Sequence, residues 1–144
     1  MKSLAISLIC LFGFVSYHNS PQLINWATLA DVSFEEKYYE DLELYLPYPT
    51  FGSQVKALAG KEVQIEGYII PIEPERYILS QNPFASCFFC GGAGPESVLE
   101  LEMKSYKKTY YTDQYLSFKG KLKLNKENID KLNYILELAE EVSN

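Results

Sequence analysis

From Lys61 the chain alternates with a period of two: Val63, Ile65, Gly67 and Ile69 fall on one side, and Glu62, Gln64, Glu66 and Tyr68 on the other. That is the signature of a strand with one buried and one wet face. Pro71 and Pro74 should stop its pairing, and Tyr77 to Ser80 is long enough for a short second strand. The alternation returns in 97–104, with Leu99, Leu101 and Met103 inward and Glu100, Glu102 and Lys104 outward. It returns again in 115–124, where Leu116, Phe118, Gly120, Leu122 and Leu124 oppose Ser117, Lys119, Lys121 and Lys123. Gly67 and Gly120 both sit mid-strand on the inward side, where a missing side chain predicts the bulge or sharp coiling that small barrels need. After Asn125 the period changes. Ile129, Leu132, Leu136 and Ala139 form one stripe, with Glu127 and Lys131 at i,i+4, which predicts a final helix capped by Asn125.

The first third is less regular. Trp26, Leu29 and Val32 at spacing three predict a short helical turn, and 33–39 reads as a strand. Its acidic neighbours, from Glu35 to Glu43, read as a solvated face. LPYPTFG (46–52) carries two prolines and a glycine and predicts an irregular connection. Ser53 is then placed to cap a short helix that Gly60 closes. The pattern gives a mainly β fold with flanking helices: an N-terminal extension over 17–57 packing on a domain that occupies 58–144.

Residues 1–16 carry Lys2 and then an apolar run from Leu4 to Val15, too short to span a bilayer and typical of a signal segment. Export to the periplasm is therefore expected, with a retained N-terminal membrane anchor as the alternative if the segment is not cleaved. Cys10 follows Ile9, not the small residue that lipidation wants. Removing 1–16 takes away Lys2 alone and moves the formal charge from −6 to −7, which argues against nucleic-acid binding. Aromatic residues, 15% of the chain, reinforce the lean toward strands.

Chemistry concentrates in CFFCGGAGPES, Cys87 to Ser97, where Gly91, Gly92, Gly94 and Pro95 exclude a regular helix or long strand. Three readings of Cys87 and Cys90 stand open. Export permits a disulfide that would shape the loop, although so short a closure stabilises little. A zinc site would need further ligands, Glu96 as a third or a second copy of the loop in a homodimer sharing the metal. A reactive dithiol would need a helix N-terminus or a basic neighbour, and neither is evident. Phe88 and Phe89 read as one buried and one exposed side chain, the exposed one suiting a partner surface. The glycines could form a nest for an anion, but no G-K-[ST] and no helix follow. The sole histidine, His18, lies near the processing site, which excludes Ser-His-Asp and Cys-His catalysts. The row Lys119, Lys121, Lys123 reads as protection of an exposed strand edge.

The series LAGKEVQIEGYIIPI, YILS, a cysteine turn ending AGPESVLEL, and YLSFKGKLKLN resembles small exported bacterial OB-like domains. It is also similar to a family of uncharacterised exported proteins in which a GKxVxIxGYxxP strand precedes a cysteine-bearing Gly-Pro turn. The resemblance covers 58–124. It implies an OB-like five-stranded barrel, to which the predicted C-terminal helix is added, a periplasmic location, and an association with envelope transporters or metal handling. The function expected is a non-catalytic binding or accessory protein without cofactor, using Phe88, Phe89, Gly91, Gly92, Gly94, Pro95 and Ser97 as its surface for an envelope protein or a small ligand. The alternative is a zinc-handling or thiol-redox envelope protein working through Cys87 and Cys90.

Overall fold

A computed structural model describes residues 20–143, so the predicted signal segment, Cys10 and His18 lie outside the described residues. The elements are β1 (Gln22–Leu23), α1 (Trp26–Leu29), β2 (Val32–Tyr39), β3 (Leu44–Phe51), α2 (Ser53–Leu58), β4 (Glu62–Glu73), β5 (Arg76–Ser80), β6 (Val98–Met103), β7 (Tyr115–Leu124) and β8 (Tyr134–Val142). The strands β4, β5, β6, β8 and β7 pair in that order, and β7 returns to β4, closing a five-stranded barrel. Only β6 and β8 run parallel within it. That order and its one parallel pair are those of an OB-type Greek-key barrel. Among the described residues no helix is long and apolar enough to cross a membrane.

The alternation read from the sequence sets the barrel interior. Val63, Ile65, Ile69, Leu99, Leu101, Phe118 and Leu122 are all buried in one cluster, and Leu116, Met103 and Leu124 pack against it. Leu29, Phe51, Val55 and Leu58, from the chain before the barrel, join the same core. The buried Tyr134 hydroxyl donates to the Leu29 carbonyl at 2.6 Å and so ties β8 to α1.

The two inward glycines are sites of close approach. A Cβ at Gly67 would stand 2.6 Å from the Ser80 carbonyl and 3.0 Å from the Trp26 ring, whose Nε1 donates to the Glu66 carbonyl at 2.8 Å. A Cβ at Gly120 would stand 2.7 Å from the Glu137 carbonyl. The irregularity lies on the strand opposite Gly120: between Lys119 and Lys121 the register against β8 slips, leaving Leu138 as the extra residue with φ +54°.

Several expectations are corrected. The C-terminal helix is absent. Ile129 and Leu132 lie in a loop, and 134–142 is the fifth barrel strand, because Tyr134, Ile135 and Leu136 are a continuous apolar run buried on both faces. Asn125 organises that loop instead of capping a helix, its amide donating to the carbonyls of Asn128, Lys131 and Leu132. LPYPTFG is largely strand, not irregular connection: Pro47 and Pro49 stand opposite Glu36 and Phe34 in β3, both on the side of the ladder that needs no N–H from them. Pro71 does not stop pairing, since it faces Tyr77, and the register breaks only between Pro71 and Glu73. The lysine row protects no edge, because β7 is paired on both sides and its lysines meet glutamates of β8, with Lys123 and Glu137 3.1 Å apart. Ser53 does not cap α2; Asp31 does so from a distance, accepting from Gln54 N at 2.8 Å.

Candidate functional site

The chain between β5 and β6 folds as three single turns, Phe84–Ser86, Phe88–Cys90 and Pro95–Ser97. Gly91, at φ +73°, ends the second in the left-handed region that glycine occupies without strain. A Cβ on Gly92 would stand 2.6 Å from the Ser86 carbonyl, so the loop can close only over a glycine. Ser97 is buried, its hydroxyl donating to the Gly94 carbonyl at 2.6 Å. It therefore fixes the turn and does not belong to the surface expected of it.

The cysteines are not equivalent, and they are not joined. Both are free thiols, so the disulfide expectation is corrected. Cys87 is fully buried with Ile70, Ile78 and Val98, and Phe88 and Leu132 pack against this second small core. Cys90 is exposed and donates to the Phe84 carbonyl at 3.1 Å. Its thiol is pushed up by desolvation, then by the hydrogen bond to Cys87 and by the charge of that neighbouring group. A thiol held protonated is the opposite of an activated nucleophile. Glu96, the third-ligand candidate of the zinc alternative, folds back over Gly94, and its charge adds to the desolvation that raises the Tyr134 hydroxyl. Among the described residues no three His, Cys, Asp or Glu side chains converge as a metal would require.

Cys87, Ile78 and Val98 lie on the outer face of β5 and β6, the face through which OB domains take ligands. Here the protein's own loops cover it. Glu100, expected in solvent, is on the same face with its side chain 3% exposed. Lys131 Nζ lies 2.7 Å from its carboxylate, Arg76 Nε 3.5 Å, and the Leu132 amide donates to it at 3.4 Å. Lys131 also bridges to Glu102 at 3.2 Å. These bonds hold the 125–133 loop down onto the sheet. The Glu100 hydrogen bond raises the Lys131 ammonium above its usual range, against a smaller opposing effect of desolvation.

Where the covering loops meet β3 a groove remains. Leu46, Pro47 and Pro49 form one wall, Phe88 and Pro95 of the cysteine turn a second, and Ile129 and Leu132 a third, with Tyr39, Asn125, Asn128, Asn133, Lys126 and Lys131 around them. Among the described residues no carboxylate lines it, in a chain with 19 acidic residues. The structure thus brings Phe88 and Pro95 into one site and leaves Phe89 beside it, 48% exposed and edge-on to Phe88. Gly91 and Gly92 are exposed and Gly94 half-buried, none of them lining the groove. The walls from β3 and from 125–133 were not legible as site residues, because the first reads as a proline-broken connection and the second as a helix stripe. The available signal was the close spacing of Asn125, Asn128 and Asn133 around an apolar pair.

No family model matches the chain, and no curated protein matches it. Among solved structures, a crystal structure of a DUF3299 family protein from Pseudomonas aeruginosa PAO1 superposes with a TM-score of 0.54 and 17% identity, covering 88% of this chain and 99% of that one. At that identity the likeness shows a shared fold, and the barrel described above is the part of the sequence resemblance that it supports.

Proposed function

We propose that this is an exported, non-catalytic binding or accessory protein whose ligand or partner docks in the groove walled by Phe88 and Pro95. The observation that carries this is the covered OB face. With Ile78, Val98 and Glu100 sealed beneath Cys87, Phe88 and Leu132, recognition moves to the rim where the cysteine turn meets the 125–133 loop. Exposed Phe89 and Ile129 offer apolar anchors there, of the kind that dominate binding energy when a partner desolvates them. Export rests on the character of residues 1–16.

A photo-crosslinking residue placed at 89 or 129 in exporting cells should give a discrete adduct, and one at the exposed Tyr106 should not. Equal labelling from all three positions would dismiss the groove, and recovery of the full chain from the cytosol alone would dismiss the export. The free state of Cys87 and Cys90 favours a second reading, zinc or thiol exchange at this pair. Elemental analysis with thiol counting on the same sample separates the two. Zinc-free protein with two thiols per chain when unfolded, neither reacting faster than an ordinary thiol while folded, agrees with the binding reading; fast reaction of the folded chain near neutral pH puts thiol exchange first, and one zinc per two chains with both thiols blocked puts the metal reading first.

A further inference from the structure

The hairpin of β2 and β3 is a two-stranded sheet apart from the barrel, and its two edges are unlike. On β3, Pro47 and Pro49 remove the two central outward N–H groups. On β2 the register leaves the N–H and C=O of Phe34, Glu36 and Tyr38 pointing away from β3, and none has a main-chain partner elsewhere among the described residues. Val32, on the same side of the ladder, turns its N–H to the Ala30 carbonyl at 2.8 Å, which confirms the direction. The distal half of the hairpin is exposed on both faces, with Tyr38 48%, Leu42 43%, Leu44 41% and Tyr45 64% accessible. Two strands so little covered are marginal alone, and a third or fourth strand is the usual remedy.

We propose that the β2 edge is a self-association surface, and that a second copy of this chain adds its own β2 antiparallel across a two-fold axis at Glu36. Charged residues on an edge ordinarily keep it unpaired. The order of charges here is self-complementary: about that axis Glu35 meets the second copy's lysine at 37, Phe34 meets its tyrosine at 38, and each pair occurs twice. The outward groups of Phe34, Glu36 and Tyr38 then supply about six main-chain hydrogen bonds and make a four-stranded sheet. Glu36 meets its own copy, a like-charge contact that keeps the association weak and reversible. The proposal concerns the edge opposite to the groove, which lies against β3, and stands whether or not the groove binds anything.

Sedimentation velocity over a concentration series tests it, using the protein as isolated from exporting cells. A reversible monomer–dimer equilibrium is expected. Glu35→Lys and Lys37→Glu should each weaken it about tenfold, by setting like charges opposite one another twice, and the double variant should restore it. Glu36→Gln should tighten it, and Glu36→Pro should leave a folded monomer, since that N–H serves no bond within the chain. A monomer at every concentration up to about 1 mM, the weakest range of specific association, overturns the proposal. So does a dimer indifferent to the charge exchange, which is read even if the proline variant fails to fold.

Discussion

Cys87 and Cys90 show how one motif can hold two kinds of residue. Cys87 packs as a small apolar side chain in a core of Ile70, Ile78 and Val98, whereas Cys90 sits at the surface and donates to the Phe84 carbonyl. A hydroxyl in place of the buried thiol must be desolvated without a ready partner. Cys87→Ser should therefore cost about 1 to 3 kcal/mol in denaturant unfolding, and Cys90→Ser should stay within about 0.5 kcal/mol. Equal small losses for the two variants would show that Cys87 does not anchor the loop. At this scale the sequence is informative wherever a residue type has few uses: an inward glycine predicts a bulge or sharp coiling, and the register does slip opposite Gly120, whereas Gly67 pairs regularly and makes room for the Ser80 carbonyl. A cysteine has several uses, and its neighbours in space, not in sequence, choose among them.

The elements that alternate cleanly, β4, β6 and β7, were legible because each has one wet face, and their inward residues are the barrel core. β8 was not. Its apolar run Tyr134 to Leu136 is buried on both sides between β6 and β7, so no alternation marks it, and Ile129 and Leu132 from the preceding loop complete a false helical stripe. Glu100 was misplaced for a related reason: it is outward with respect to the barrel, but a loop distant in sequence covers that outward face. The ion cluster that results should behave as a latch. Lys131→Met leaves a nearly buried carboxylate with Arg76 at 3.5 Å as its remaining cation. Since Lys131 itself is 34% exposed, the expected loss is about 1 to 3 kcal/mol, short of the roughly 3 to 5 kcal/mol of a fully buried pair. In a Glu100→Leu background the same change should cost almost nothing, and the double-mutant cycle built from urea midpoints measures the coupling. A Lys131 effect unchanged by Glu100→Leu would mean that packing, not charge, holds the loop.

For the whole molecule, three groups spread across it share one direction of titration. Desolvation pushes the Tyr134 hydroxyl well up, with the charges of Glu96 and Asp31 adding to it. Desolvation does the same for Tyr110, whose hydroxyl also donates to Glu141 at 3.0 Å. The hydrogen bond to Glu100 raises Lys131. In each case the folded chain holds its proton more tightly than the unfolded chain does. Their contribution is therefore complete below pH about 10, where the unfolded groups also keep their protons, and falls as pH rises beyond it. The urea midpoint should accordingly stay level with respect to these groups from about pH 8 to 9.5 and decline steeply above about pH 10. Replacing both Tyr110 and Tyr134 by Phe lowers the midpoint at neutral pH, because Leu29 and Glu141 lose a donor, but makes the alkaline decline shallower. An alkaline slope as steep in that double variant as in the parent would place the sensitivity elsewhere. A parent midpoint that stayed level to about pH 11.5 would show that the folded and unfolded chains release these protons alike.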